Sequence, residues 1–348
     1  MNAASPLASR RTVGRAVASI LSVAAVIGLL ALVFPVATGT SWPAVYDRLL
    51  HLSVWQLGVL SVVWLAGLYA HTFVIVGALP RLTHRQAFAL NFCGSAVSNL
   101  VPFGGALGMG LNYSMLRSWG FNRTNFAVLA VVTHACTVAV KLLLPAVALG
   151  ALVLTTDFMN TRLVIAAAVG IAIAILATLL LTAAAVSTRF RNGLSWTVEA
   201  LGRGLGHRAV AAVREASIAV GAGVRAAARE GWRRMTLGAI TYAGFQALLL
   251  YLCFVALGGQ VNPVVVFAGY AIGRTLSIVP ITPGGIGVSE TATAAVLIGL
   301  GADRPLTAAA VLLNSTFTFL LEIPVGAAAA IAWWLGHGRV AAPSPAGA

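Results

Sequence analysis

Four ionisable side chains, Lys141, Arg274, Glu290 and Glu322, stand inside stretches that are otherwise apolar. Charge in such a setting is costly, so these groups turn inward, take partners and serve ion paths, proton relays or ligand binding. Arg274 and Glu290 flank the segment "VPITPGGIGVSE" (279–290), where they suit either a zwitterionic ligand or each other. Lys141 and Glu322 hold nearly matching places in the two halves of the chain and suit a structural ion pair. The quoted segment supplies more. Thr282 can cap a helix beginning at Pro283, while Gly284 and Gly285 let a ligand reach backbone amides that favour an anion such as phosphate. Glu290 is then a candidate proton or amine site. No group of residues has metal-ligand spacing and no GxxxxGK[ST] run is present, so neither a metal, a cofactor nor a catalytic residue is assigned. His71 and His134 stand singly in apolar runs and read first as packing residues.

The elements that must carry these groups are membrane helices. Of 348 residues, 59% are hydrophobic and 9% charged, too few charges to cover a soluble domain of this size. Six stretches approach or exceed the roughly 20 apolar residues a bilayer demands. They are Ala16–Ala37, Leu57–Leu79, Thr124–Leu154, Leu163–Val186, Leu237–Leu257 and Leu306–Leu335. Two more, Ala87–Leu116 and Val264–Leu300, are interrupted by proline and glycine at 102–105 and 280–285, and each reads as a broken hairpin, re-entrant or fully spanning. The fold class expected is an all-α, multi-pass bundle of six spans and two broken hairpins. The first apolar run is too long for a signal-peptide core, so it is read as an uncleaved helix. Cys93, Cys136 and Cys253 all lie in apolar segments and do not form a disulfide framework.

Charge orients the chain. Nine arginines against three glutamates lie between Arg189 and Arg234, and the positive-inside rule places that loop in the cytoplasm. Residues 1–15 and 338–348 are then cytoplasmic tails of one transmembrane domain, 16–337. Its halves are 16–154 and 163–335, with a basic amphipathic linker at 188–234. Leu194, Val198, Leu201 and Leu205 recur at helical spacing among arginines, which suits contact with anionic lipid. The basic excess serves topology and gives no reason to expect nucleic acid.

The two interrupted stretches repeat one another. "GSAVSNLVPFGGALG" (94–108) aligns with "GRTLSIVPITPGGIG" (273–287), Gly94 on Gly273, Ser98 on Ser277 and Gly104/Gly105 on Gly284/Gly285; farther on, Pro145 answers Pro324. Several matches at one offset argue for duplication. Counting crossings from a cytoplasmic N-terminus, the two halves enter the membrane from opposite sides. Inverted repeats with broken helices in corresponding places are a recurring transporter architecture. Gly104, Gly105 and Asn112 are the first hairpin's candidates for ligand contact.

"VPITPGGIGVSE", the preceding Arg274, "NLVPFGGALG" and the chain length resemble the flippase-like membrane domain of the lysylphosphatidylglycerol synthases and its stand-alone bacterial relatives, over about residues 16–337. The resemblance implies a plasma-membrane protein that moves a polar-headed lipid between leaflets, without the soluble aminoacyl-transferase domain of the full synthases. In one respect the sequence departs from that pattern. The family's first hairpin often carries charge after its glycines, whereas "FGGALGMGLNY" is neutral, with Asn112 and Tyr113 as its polar groups. Two other functions compete. One is a non-transporting partner of a lipid or cell-envelope synthase; the other is an intramembrane lipid transferase, which Glu290 without a neighbouring carboxylate or His pair supports thinly.

Overall fold

A computed structural model describes residues 28–100, 104–155, 172, 176, 207–278 and 285–337. Among them every regular element is helical. A π-helical turn, Leu29–Val33, leads into α1 (Phe34–Thr38); then follow α2 (Trp42–Leu50), α3 (Val54–Ala78), α4 (His84–Leu100), α5 (Gly104–Ser118) and α6 (Arg123–Thr155). After residue 206 come α7 (His207–Glu230), α8 (Trp232–Ala256), α9 (Pro263–Leu276), α10 (Val288–Gly299), α11 (Arg304–Ser315), a second π turn (Thr316–Leu320) and α12 (Glu322–His337).

Helix starts are written locally. Before α3, Ser53 and Gln56 exchange backbone bonds, Gln56 Oε1 accepting from the Ser53 N–H at 2.7 Å and Ser53 Oγ from the Gln56 N–H at 3.3 Å. Thr83 and Gln86 do the same at α4, and Asn122 with Asn125 at α6. Each pair satisfies two amide donors that the first helical turn leaves without partners. Asn262 caps α9 through the Val264 N–H, with Pro263 as the first helical residue. Asp303 caps α11 by accepting from the Leu306 N–H at 3.0 Å.

Four helices are long and apolar enough to cross a membrane: Val54–Ala78, Arg123–Thr155, Trp232–Ala256 and the continuous Arg304–Gly336. They meet the expected spans at 57–79, 124–154, 237–257 and 306–335. The first expected span has no described residue before Gly28; Leu29–Thr38 then turns through 93° into α2, as a broken span or a re-entrant loop does. The span expected over 163–186 lies almost wholly outside the described residues. Leu32, Val36, Val62, Leu154, Leu237, Ile240 and Leu335 are exposed on these helices. In water that much apolar surface would drive aggregation, and in a bilayer it is the lipid-facing surface. The fold is an all-α, multi-pass membrane protein.

Both interrupted stretches are hairpins of two short helices. The first runs from α4 to α5, with 101–103 outside the described residues; Gly104 and Gly105, expected inside the break, are the first residues of α5. The amides that open α5 already make the helical geometry, so the glycines start the return arm and do not form the gap. The second runs from α9 to α10, with 279–284 outside the described residues.

The described residues divide into two compact units that interleave along the chain, one drawn from 1–62, 92–111 and 247–334, the other from 63–91, 112–246 and 335–348. In the second unit α8 lies close on α3. A methyl on Gly77 would meet Met235, one on Gly231 the Gly77 carbonyl, and one on Gly238 the Phe73 side chain at 2.7 Å. Small residues allow this approach where water-driven burial is unavailable, and dispersion replaces it. Within the expected linker, α7 is a 24-residue helix packed on α6, Gly223 facing Val128. The positions Leu194, Val198, Leu201 and Leu205 lie outside the described residues.

The first unit holds the last part of α4 from Phe92, all of α9, α10 and α11, most of α12, and the chain's first helices. Here α10 packs on α9, α11 and α1, and α11 also packs on α2.

Candidate functional site

The second hairpin is built on a G-x-x-x-G pair. Gly269 of α9 faces Leu297 of α10, and a methyl on Gly273 would run into Thr293 Oγ1 and come within 2.9 Å of the Ser289 carbonyl oxygen. The two arms therefore touch backbone to backbone. The first hairpin is closed in the same manner, because a methyl on Gly108 of α5 would lie 2.6 Å from both the Gly94 carbonyl oxygen and Ser98 Oγ. Gly94 and Gly273 lie where the arms of each hairpin come close, Ser98 lies against Gly108 of α5, and Ser277 lies against Gly285 of the turn before α10.

Beyond the second break the chain passes Gly285 and Gly287 with φ of 78° and 88°, a region L side chains rarely adopt. Gly285 also sits so close to Ser277 that a methyl would lie 2.9 Å from its Cβ. These two glycines turn the chain into α10, and Glu290 holds the turn. Glu290 is 2% exposed; its Oε2 accepts from the Gly287 N–H at 2.6 Å and from Ser289 Oγ at 3.0 Å, and its Oε1 accepts from Ser315 Oγ of α11 at 2.9 Å. A carboxylate in the first turn also faces the positive end of the helix dipole. Glu290 is therefore a cap that ties the break to α11.

From Ser315 the chain enters the π turn, where the Leu321 N–H reaches back five residues to the Thr316 carbonyl at 2.8 Å. Pro324 accounts for the disturbance, since a proline has no N–H for the carbonyl four residues earlier and its ring crowds that carbonyl. The π turn delivers Glu322 at the head of α12. Glu322 is 6% exposed, accepts from Asn99 Nδ2 at 3.3 Å and from Ser95, and feels the charge of Arg274. Ser95 and Asn99 are in the last turns of α4 before the first break, and Arg274 is in the last turn of α9 before the second. One buried carboxylate therefore gathers polar groups from the incoming arms of both hairpins. Gly326 lets α12 come this near α4, for a methyl there would strike the Phe92 carbonyl and lie 2.5 Å from Ala96 Cβ.

The other sequence candidates are spread wider. Thr282 and Gly284 lie outside the described residues. Gly104 and Gly105 open α5, with Gly105 exposed. Asn112 belongs to the second unit and its Oδ1 is buried without a hydrogen-bond partner. Lys141 also lies in the second unit, on α6, its carbonyl being the one that Pro145 cannot serve. His71 is hydrogen-bonded to Asn91 at 3.2 Å and packed on the Tyr242 ring, while His134 is exposed. Sequence reasoning missed Ser95, Asn99 and Ser315. Their only signal was position, one or two turns from a break or a buried acid, and hydroxyl and amide side chains are too common in membrane helices to be singled out on that ground.

No curated protein matches the chain. The family model for the Lysylphosphatidylglycerol synthase TM region matches residues 19–326, a stretch that contains both hairpins, Arg274, Glu290 and Glu322, so the chain belongs to the lysylphosphatidylglycerol synthase transmembrane-region family.

Proposed function

We propose that this protein is a lipid translocase of the bacterial plasma membrane, moving a polar-headed, phosphate-containing lipid between leaflets without a nucleotide and without chemistry of its own. The observation that carries the reading is the buried carboxylate of Glu322 with the half-buried Ser95, Asn99 and Arg274, drawn from the ends of the incoming arms of both broken hairpins. Irregular backbone and charge at membrane depth are tolerated where protein or a watery path surrounds them. Broken helices meeting in this way are how secondary transporters build substrate sites.

In this reading the lipid phosphate lies against Arg274 and the amides around Gly284 and Gly285, with Thr282 capping beside them. Gly104 and Gly105 offer the matching approach in the first hairpin. Glu290 keeps the second break in shape on the amine side of the headgroup. The two halves are inverted, both termini are cytoplasmic, and the basic segment 188–234 meets anionic lipid on that side.

The test is redistribution of a fluorescent phosphatidylglycerol in proteoliposomes that contain only the purified protein, followed by dithionite quenching of the outer leaflet. Quenching beyond the outer-leaflet fraction, absent from protein-free vesicles, is expected. Quenching that stops at that fraction under every condition overturns the translocase and leaves the partner role as the better reading.

A further inference from the structure

We propose that one end of the second unit is a docking site for the phosphates of anionic lipid headgroups, built jointly by the α3–α4, α5–α6 and α7–α8 connections. It goes beyond the translocase reading and beyond contact along 188–234, since four of its six arginines lie outside that segment.

Printed contacts within the unit bring the three connections together. The Arg81 guanidinium lies over the Phe121 ring, 5.7 Å from its centroid, which joins the first connection to the second. A methyl on Gly231, between α7 and α8, would strike the Gly77 carbonyl in the last turn of α3, which joins the third to the first. All four residues belong to the second unit.

Six exposed arginines crown this end, namely Arg81, Arg85, Arg117, Arg123, Arg233 and Arg234. None of them forms an ion pair among the described residues, and the connections carry one acid, Glu230. Arg85 stands in the first turn of α4, Arg123 in that of α6, and Arg233 with Arg234 in that of α8; none of these turns has an acidic residue. A helix N-terminus is the positive end of the dipole and favours an anion, so a cation there is disfavoured until an outside anion offsets both.

Two of the guanidiniums are nevertheless held in place. Arg123 Nε donates to Tyr113 Oη at 3.2 Å, and the Tyr113 ring meets Phe126 edge-on; Arg81 rests on Phe121, which is buried. The positive-inside rule accounts for the sign of these charges but not for their being fixed on aromatic side chains. A fixed guanidinium without a carboxylate offers its donor fork to phosphate.

The neighbouring residues make that phosphate a lipid's. Trp232 is exposed with the Arg233 guanidinium 5.4 Å from its ring centroid, and Leu237 and Ile240 are exposed within the next two turns of α8. Charge gives way to lipid-facing apolar surface over these few residues, with a tryptophan at the boundary, so the arginines stand at headgroup depth.

The experiment titrates full-length protein in detergent with phosphatidylglycerol or, separately, phosphatidylcholine, and counts bound lipid by native mass spectrometry. The wild type is expected to prefer phosphatidylglycerol. Arg81→Gln with Arg123→Gln should weaken that lipid about 25-fold, about fivefold for each arginine, and leave phosphatidylcholine unchanged. Arg48→Gln, in the first unit, is the control and should alter neither. Equal binding of the two lipids by the wild type overturns the site. Unchanged phosphatidylglycerol binding by the folded double variant also overturns it and leaves the arginines to topology alone. Where that variant gives no folded protein, Arg233→Gln with Arg234→Gln reads the same site from α8, and unchanged binding there overturns it equally. Displacement of phosphatidylglycerol by millimolar inorganic phosphate would make the occupant a soluble anion and overturn the lipid assignment. None of these readouts requires lipid movement, so the translocase and the docking site stand or fall separately.

Discussion

Asn99 donates from Nδ2 to Oε2 of Glu322 across 3.3 Å, joining the final turn before the first helix break to the helix that follows the π turn. With Arg274 acting on the same carboxylate, one side chain links the two interrupted stretches of the sequence within a single unit.

That linkage predicts energetic coupling. Glu322→Leu and Arg274→Met should each lower thermal stability in detergent, and the double change should lose less than the sum, with a coupling of about 0.5–3 kcal/mol for groups in contact. The same cycle run with Lys141→Met decides the pairing that the sequence suggests. Additive losses with Arg274 would separate Arg274 from Glu322.

Glu290 is expected to behave as a cap. Removing it in Glu290→Ala leaves the Gly287 N–H buried without its acceptor, a loss of about 1–3 kcal/mol in unfolding stability. Glu290→Gln keeps an acceptor for that amide and should lose less. Equal destabilisation by both, measured by fluorescence-monitored melting in detergent, would mean that the Gly287 bond is not what Glu290 contributes.

The hairpin crossings predict steric lesions. Gly273→Val places branched carbon where Thr293 and the Ser289 carbonyl already lie, and Gly326→Val does the same against Phe92. Overpacking of this kind costs about 1–3 kcal/mol or more, so folded yield should fall for both. Gly299→Ala, with nothing within 4 Å of the added methyl, is the control and should express normally. Normal yield from Gly273→Val would show the α9–α10 contact to be looser than drawn.

Topology is read by labelling. After the three native cysteines are replaced, a cysteine at Asn192 should be protected from impermeant thiol reagents in intact cells and one at Asp303 should label. Equal accessibility would remove the inverted arrangement, because the basic segment and the exit of the second hairpin would then share a side.

The membrane class, four of the spans to within a few residues at each end, and the two hairpins were legible in the sequence. Hydrophobic length is a one-dimensional property that the bilayer reads directly, and proline next to paired glycines, as at 102–105 and 280–285, favours a break in the helix. In each hairpin a glycine of the incoming arm, Gly94 or Gly273, lies where the two arms come close. Which buried charge meets which was a different question. Glu290 and Arg274 are near in sequence, yet Glu290 is taken by Gly287, Ser289 and Ser315 while Arg274 acts on Glu322, far along the chain. The partner of a membrane-buried charge is set by which helix faces are brought together, and those faces are chosen by the glycines that permit close approach, Gly273 and Gly326 among them. A sequence displays each glycine but not the backbone laid against it, so only the tertiary structure decided that Ser95, Asn99, Arg274 and Glu322 belong to one cluster.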